Sequence, residues 1–374
     1  MAFISNQFVF GVEDDVTSLD TMLQEYLGLK PDSILVIADS VLNSVLEISF
    51  LSNVNHEVII WLYKTQSGEP TTDEADKLAE YIRQKLPDII VAIGGGSTID
   101  LAKAGVILAN EPILQKASDL QGKTLFNSRK NVFIAVPTTC GSGAEATKSA
   151  VLTNPKKKLK RGINSNSALP NVVILDSSLL LTLPQEVKIS SYLDALTHSI
   201  ESNIGVNQNM MSYMFSESAF NMLFSMADDP KGLAIQSKQA LTASHFAGKA
   251  ICNSETGPVH ALSYYLSEEL GIPHGIAVGV LLPEVIEYYA REFSIGLGLE
   301  LVSTNLELNR FLKQIRNLAI PLLNENMQRS ILDLDISSAA KRSIQLTGAI
   351  SNAPIVWGPS QSLDIYKKLI SLLR

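Results

Sequence analysis

Short β-branched runs alternate with helical patterns in the first half of the chain. Strand-like runs lie at residues 34–37, 58–61, 89–93, 132–136 and 172–175. The run at 89–93 is apolar at every position, which is typical of a parallel strand covered by helices on both faces. An amphipathic helix is predicted after Thr71, with Glu74 completing a capping box. Its apolar stripe is Ala75, Leu78, Ala79, Ile82 and Leu86.

The pattern changes after Pro184, where Leu, Ala, Ser and Met recur at helical spacing and strand-like runs almost disappear. Strands alternating with helices in the first half predict a doubly wound α/β nucleotide-binding domain. The second half predicts an all-α domain. We place the first domain at residues 1–180 and the second at residues 181–374.

Composition narrows the function classes. The chain has 374 residues, 46% of them hydrophobic and 18% charged, as in an ordinary globular protein. Its net charge of −8 gives no electrostatic reason to expect nucleic acid or an anionic membrane as a partner. Two cysteines are too few for a disulfide framework, and no apolar run approaches the roughly 20 residues needed to span a bilayer. We therefore expect a cytoplasmic protein with a small-molecule substrate.

A glycine-rich segment, GGGSTID at residues 94–100, lies directly between a predicted strand and a predicted helix. Glycines let the backbone approach an anion closely, and the N–H groups at the helix start favour negative charge. A pyrophosphate is the expected occupant, although a tight turn without a ligand stays open as the alternative. The candidate cofactor-binding residues here are Gly94, Gly95, Gly96, Ser97 and Asp100.

A second loop, PTTCGSGAE at residues 137–145, follows the next predicted strand. Open α/β sheets bind ligands at the carboxyl ends of their parallel strands. Two such loops predict a cofactor crevice, to which Thr138, Thr139 and Ser142 contribute hydroxyl groups. We interpret Cys140 as a small packing residue.

Four residues form a candidate metal site. Asp194 and His198 are four residues apart in a helical stretch, so their side chains leave the same face. His260 and His274 are separated by a predicted helix break, which allows the second to fold back towards the first. Three imidazoles and one carboxylate suit a divalent transition metal with a position left open for a substrate oxygen. A surface ion pair or helix contact is the alternative for the first two residues.

The two remaining histidines lack this spacing. We interpret His56 as an exposed residue before a strand and His245 as a pocket residue.

Four motifs in this order resemble the iron-containing alcohol dehydrogenases, which are related in fold to glycerol dehydrogenase and dehydroquinate synthase. They are GGGSTIDLAK, PTTCGSGAEAT, LDALTHSIE and HALSYYLSEELGIPHG, and the resemblance covers roughly residues 30–360. It implies a nucleotide-binding α/β domain, a helical domain and a deep cleft between them.

The resemblance also implies residue roles. Gly95, Gly96 and Ser97 would contact the pyrophosphate, Thr138 and Thr139 would line the cofactor site, and Lys160 would reach the nicotinamide ribose. Asp39 matches an acidic position that favours NAD(H) over NADP(H), because a carboxylate would repel a 2′-phosphate. The implied metal ligands are Asp194, His198, His260 and His274.

Three positions depart from the family pattern. Tyr264 stands where many members carry a histidine thought to relay a proton, Tyr192 replaces a common glycine, and Cys140 replaces the usual small residue after the paired threonines. Glu255 lies where we expect a lysine in the phosphonoacetaldehyde reductase-like branch, which the sequence otherwise resembles most. These positions leave the proton route open, and a small anionic aldehyde is the finer expectation for the substrate.

The predicted function is a metal-dependent, NAD(P)-linked alcohol dehydrogenase or aldehyde reductase. We expect Fe²⁺, with Zn²⁺ as the alternative, and a homodimer or higher homo-oligomer without nucleic acid or membrane partners. The predicted catalytic residues are His260, His274, Tyr264 and His245. Two alternatives stay open: a metal- and NAD-dependent lyase or synthase of the dehydroquinate type, and a catalytically inactive nucleotide-binding scaffold.

Overall fold

A computed structural model describes residues 8–11, 19, 23–24, 28–42, 57–64, 69–111, 113, 115–125, 128–157, 159–226, 237–293 and 302–374. The chain divides into two compact units. One comprises Ser5–Thr139 and Ala144–Leu179, and the described residues of the other are in Cys140–Gly143 and Leu180–Arg374. The loop Cys140–Gly143 therefore belongs to the helical unit, although it follows a strand of the α/β unit.

The α/β unit contains two sheets. Its strands are β1 (Phe8–Gly11), β2 (Ser33–Asp39), β3 (Glu57–Tyr63), β4 (Ile89–Gly94), β5 (Thr124–Leu125), β6 (Val132–Pro137), β7 (Ser149–Asn154), β8 (Leu159–Ser165) and β9 (Val172–Leu175). Six of them form a parallel sheet in the order β1-β9-β6-β4-β2-β3. The small second sheet has the order β5-β8-β7, with β7 antiparallel to β8.

Alternate residues of the central strands enter separate cores on the two faces of the large sheet. Ile90 and Ala92 of β4 pack in one core, and Ile89, Val91 and Ile93 pack in the other. Every residue of β4 is buried. This burial confirms the interpretation of its continuous apolar run, since both faces of a doubly wound sheet are covered.

Three helices of this unit are α1 (Thr72–Lys85), α2 (Gly96–Ala109) and the short α3 (Ala117–Leu120). The predicted capping box is confirmed, because Thr71 accepts from the Glu74 amide and the Glu74 carboxylate accepts from the Thr71 amide. The prediction that Leu86 belongs to the buried stripe of α1 is wrong. Leu86 is 75% exposed and ends the helix with φ 49°, which turns its side chain out of the stripe.

The helical unit confirms the all-α prediction for the second half of the chain. Its helices are α4 (Gln185–Ile204), α5 (Met210–Phe224), α6 (Ser237–Ser254), α7 (Pro258–Glu268), α8 (His274–Phe293), α9 (Asn305–Ala319), α10 (Glu325–Leu332), α11 (Ile336–Ser343), α12 (Thr347–Ser351) and α13 (Pro359–Leu373). In the part of the chain described here, no helix is both long and apolar enough to cross a membrane.

Helix α4 is the centre of this unit, because it packs against α5, α6 and α8. Two glycines of α8 permit a close approach to α4. A Cβ at Gly275 would lie 2.2 Å from the Ser190 carbonyl oxygen, and one at Gly279 would lie 2.5 Å from a methyl carbon of Leu193. The start of α8 is thereby held directly against the segment that contains Asp194.

Candidate functional site

The four predicted metal ligands lie on three helices of the helical unit. Asp194 and His198 are on α4, His260 is on α7 and His274 is the first residue of α8. Asp194 Oδ1 lies 3.7 Å from His198 Nε2, 3.5 Å from His260 Nε2 and 3.6 Å from His274 Nε2. Ligand atoms of Asp194, His198 and His260 all lie within 4.8 Å of one another.

Local sequence explains how the ligands converge. Four-residue spacing places Asp194 and His198 on one face of α4. Gly257 and Pro258 form the N-cap and first turn of α7, which positions His260 in the first turn. Gly271, with φ 66°, reverses the chain before α8 begins.

The side chains of the four candidate ligands are arranged for binding a cation rather than for hydrogen bonding to one another. Asp194 Oδ1 and His260 Nε2 are buried and have no hydrogen-bond partner in the described chain. Their separation of 3.5 Å exceeds a good hydrogen bond. A tetrahedral site with metal–ligand bonds of about 2.1 Å separates its ligand atoms by about 3.4 Å, close to the distances here. The distances from Asp194 Oδ1 therefore fit a divalent metal bound by these residues.

The electrostatics of the cluster agree with this fit. Burial would raise the pKa of Asp194, but the neighbouring histidines, His198 foremost, hold it below its usual range. Burial lowers the pKa of His198 to about 4. Burial would also lower the pKa of His260, but the carboxylates of Glu201 and Asp194 raise it to about 9. The negative field that favours a proton on His260 equally favours a metal cation.

Sequence reasoning did not single out Glu201. Its buried carboxylate lies 2.6 Å from His260 Nδ1 and also accepts hydrogen bonds from two backbone amides at the start of α7. The sequence spacing could have indicated Glu201, because it follows Asp194 by seven residues and so lies near the same face of α4. It ends the LDALTHSIE motif.

Tyr264 and Tyr192, the two tyrosine departures, have different surroundings. The ring of Tyr264 lies 5.9 Å from that of His274, next to the cluster of candidate metal ligands. Tyr192 is buried and donates from its hydroxyl to the Leu223 carbonyl, so its side chain joins α4 to α5. The position at which the resemblance implies a glycine therefore serves helix packing in this chain.

The other singled-out residues lie outside the cluster of ligand atoms. His245 is buried on α6 beside Phe246, and Glu255 is exposed at the end of α6. Burial raises the pKa of Cys140 to about 12, which agrees with its interpretation as a packing residue. His56 lies outside the described residues.

The glycine turn and the first residues of the second loop, residues 137–139, lie side by side in the α/β unit. The Thr138 amide donates to the Gly94 carbonyl, joining the carboxyl ends of β6 and β4. A Cβ at Gly95 would lie 3.3 Å from the Thr139 methyl group, so the loops are in close contact. Gly95 is also the N-cap of α2 and provides no capping side chain, so the positive end of the helix dipole at Gly96 favours an anion.

Two further predicted cofactor residues, Asp39 and Asp100, have protein partners. Asp39 ends β2 beside β4, and its carboxylate accepts from the Val41 amide. The Asp100 carboxylate accepts from the Val151 amide and pairs with buried Lys103, which joins α2 to β7.

Lys160 lies on β8 and pairs with Glu69 at 2.8 Å. Ser142 lies in the loop Cys140–Gly143 of the helical unit. The cofactor role of each of these residues stays a prediction.

Two family models match most of the chain. Iron-containing alcohol dehydrogenase matches residues 6–177, and the C-terminal model of the Fe-containing alcohol dehydrogenase family matches residues 188–330. The chain belongs to the iron-containing alcohol dehydrogenase family.

Known relatives of this family are moderately similar. Long-chain-alcohol dehydrogenase 1 of Geobacillus thermodenitrificans is 30% identical over 282 residues, or 72% of this chain and 70% of the relative. The 1-propanol dehydrogenase of Citrobacter freundii is 27% identical over 62% of this chain and only 60% of its own length.

A solved structure resembles almost the whole chain in fold. Sulfoacetaldehyde reductase from Bifidobacterium kashiwanohense, in complex with NAD⁺, has a TM-score of 0.79 at 24% identity, covering 99% of this chain and 98% of the other. This similarity confirms the predicted fold class, a doubly wound α/β domain followed by a helical domain of the dehydroquinate synthase-like type.

Proposed function

We propose that this protein is a metal-dependent, NAD-linked alcohol dehydrogenase or aldehyde reductase. The observation that carries the proposal is the position of Asp194 Oδ1, buried at 3.5–3.7 Å from three imidazole nitrogens in a member of the iron-containing family. The proposed ligands are Asp194, His198, His260 and His274. A divalent cation held there supplies Lewis-acid polarisation of an alcohol or aldehyde oxygen.

The protein's own residues account for the rest of the site. Asp194, His198 and His260 are at most 6% exposed, so water is largely excluded from the donor set and electrostatic interactions there are strong. Gly95, Gly96 and Ser97 of the glycine turn would contact the pyrophosphate, and Thr138 and Thr139 would line the same sheet edge. The nicotinamide supplies hydride chemistry, and these loops orient it.

The substrate that we propose is a small aldehyde, and the finer proposal is an anionic one. Relatives are named for 1-propanol and long-chain alcohols, whereas a fold neighbour is named sulfoacetaldehyde reductase. The partial match of the HALSYYLSEELGIPHG region to the phosphonoacetaldehyde reductase-like branch supports the anionic substrate. We expect the protein to consume NADH with sulfoacetaldehyde or phosphonoacetaldehyde faster than with propanal, and faster propanal reduction would restrict the proposal to uncharged aldehydes.

Two histidine-to-alanine variants test the assignment of the metal ligands. We expect His260→Ala to lose bound metal and NADH oxidation with aldehydes while NAD⁺ binding remains. His245→Ala, which removes an equally buried imidazole outside the ligand set, should keep its metal. Iron and zinc are supplied in parallel, and metal content is measured by elemental analysis. A fully active, metal-replete His260→Ala protein would refute the ligand assignment.

The NADH-oxidation assay also separates the proposed function from the two alternatives. A lyase or synthase of the dehydroquinate type leaves NADH unconsumed overall, and an inactive scaffold turns over no aldehyde with either metal. The family relatives are named as dehydrogenases, which favours net hydride transfer. Cytoplasmic location and homo-oligomerisation stay predictions.

A further inference from the structure

We infer that Glu201 is a positioning residue that fixes the orientation and tautomer of His260 for metal binding. The inference rests on the proposed function, because it assigns a role within the same metal site. Glu201 is 2% exposed and lies on α4, one turn beyond the ligand pair Asp194 and His198.

Three groups in residues 257–260 donate hydrogen bonds to the carboxylate of Glu201. Its Oε2 lies 2.8 Å from the Gly257 amide and 2.6 Å from His260 Nδ1, and its Oε1 lies 2.6 Å from the Val259 amide. One side chain of α4 thus holds both the first turn of α7 and the imidazole that this turn carries.

These bonds determine which nitrogen of His260 faces the other ligands. An ionised carboxylate only accepts hydrogen bonds, so Nδ1 carries the proton. The lone pair is then on Nε2, the atom that lies 3.5 Å from Asp194 Oδ1. Partners of this kind orient metal-ligating histidines and commonly change metal affinity 10- to 100-fold when they are removed.

A neutral amide cannot replace this carboxylate without conflict. All three groups around Glu201 donate, whereas the glutamine amide nitrogen also donates. Glu201→Gln therefore sets one N–H group against another at either Oε position. We expect the imidazole of His260 to turn or change tautomer, because the two backbone amides are fixed in the first turn of α7.

The test compares Glu201→Gln with wild type by Co²⁺ and Zn²⁺ titration of the metal-free protein against a chromogenic chelator. We expect metal affinity to fall by about 10- to 100-fold, and the visible absorption of bound Co²⁺ to change in energy or intensity. Unchanged affinity and an unchanged Co²⁺ spectrum would overturn the inference. Wild-type protein that binds neither metal would instead refute the proposed function.

Glu284→Gln is the matched control. Glu284 is a fully buried carboxylate on α8 that pairs with Arg316 and Lys368 rather than with a metal ligand. We expect both glutamine variants to lower the melting temperature of the metal-free protein, and only Glu201→Gln to lower metal affinity. Equal loss of affinity in both variants would mean that Glu201 acts through general stability, contrary to the inference.

A measurement on wild type keeps the inference testable if Glu201→Gln does not fold. Protein labelled with ¹⁵N-histidine and loaded with Zn²⁺ has only five imidazoles to resolve by NMR. We expect His260 to be protonated at Nδ1 and metal-bound at Nε2. Its resonance can be assigned by its disappearance in His260→Gln, and metal binding through Nδ1 would contradict the proposed orientation.

Discussion

Tyr289 has a buried hydroxyl without a hydrogen-bond partner in the described chain. Burying an unsatisfied polar group costs about 1–3 kcal/mol, so its removal should stabilise the protein. We predict that Tyr289→Phe raises the free energy of unfolding by about 1 kcal/mol. Tyr366→Phe is the control, because the equally buried Tyr366 donates to the Leu262 carbonyl. Chemical denaturation should show opposite changes, and destabilisation by both variants would contradict the prediction.

Asp39 should determine the choice between NAD(H) and NADP(H). Its carboxylate is fixed by the Val41 amide beside the strand that leads to the glycine turn, so it would repel a 2′-phosphate. We predict that Asp39→Ser increases the ratio of kcat/KM for NADPH to that for NADH by at least about 10-fold, roughly 1.4 kcal/mol.

Asp32→Ser is the control for charge, because exposed Asp32 precedes the amino end of the same strand. Steady-state kinetics with both cofactors measure the ratio. An equal change of this ratio in both variants would mean that net charge causes the effect. An unchanged ratio in Asp39→Ser would mean that Asp39 does not select the cofactor.

Single residues differed in how well the sequence predicted them. The spacing of Asp194 and His198 was sufficient to predict their common face, because helix geometry alone determines it. Glu201 was not predicted, since its role depends on the backbone amides of α7, which come from a distant part of the chain. The role of Tyr192 likewise could not be predicted, because it depends on the carbonyl of α5 to which its hydroxyl donates.

The contact of α8 with α4 connects helix packing to the metal site. A Cβ at Gly275 would meet the backbone of Ser190, which has little freedom to move. We predict that Gly275→Ala displaces the first turn of α8 and with it His274, lowering metal affinity at least about 10-fold, within the range known for altered metal-site support. Chelator competition measures the affinity.

Gly279→Ala is the matched comparison one turn later. Its Cβ would first meet a methyl carbon of the flexible Leu193 side chain, at 2.5 Å. Both glycine-to-alanine substitutions gain a similar helix propensity, about 1 kcal/mol. A difference in metal affinity between the two variants is therefore caused by the different atoms that the added Cβ meets. We expect Gly279→Ala to bind metal nearly as wild type, and equal affinity for Gly275→Ala and wild type would refute the packing argument.

Elements were predicted best where the pattern was long. The buried run of β4 and the capping box of α1 follow from side-chain periodicity and local hydrogen bonding, which a sequence displays directly. Four strands were not predicted: β1, β5, β7 and β8. The four-residue β1 and two-residue β5 are too short to show a periodicity, and β8 carries Lys160, Arg161 and Gly162 in place of an apolar run. The error at Leu86 arose from a left-handed helix end that apolar spacing does not reveal.

At the scale of the whole molecule, the division into units was only partly visible in the sequence. The change from strand-like to helical patterns near Pro184 gave the two classes of structure. The sequence could not show that Cys140–Gly143 belongs to the helical unit. Its glycines pack there, since a Cβ at Gly141 would lie 2.9 Å from Ser191 Cα and one at Gly143 would lie 2.6 Å from Gly248 Cα.

Because the proposed metal ligands all belong to the helical unit, metal should stabilise specific helices. A ligand at 100 times its Kd raises by about 2.7 kcal/mol the free energy of every unfolding event that destroys its binding site. We predict that Zn²⁺ at this ratio slows hydrogen exchange by up to about 100-fold in peptides from α4, α7 and α8, and that a chelator reverses the effect. NAD⁺ should instead slow exchange around residues 94–100.

His260→Ala separates this linkage from nonspecific metal binding. The variant should show no Zn²⁺-dependent protection in α4, α7 and α8, while NAD⁺ still protects the glycine turn, because the residues of that turn are unchanged. Mass spectrometry of peptides resolves both regions in one experiment. Zn²⁺-dependent protection that persists in His260→Ala would show that metal binds elsewhere. Protection of the glycine turn by Zn²⁺ alone would contradict the assignment of the metal to the helical unit.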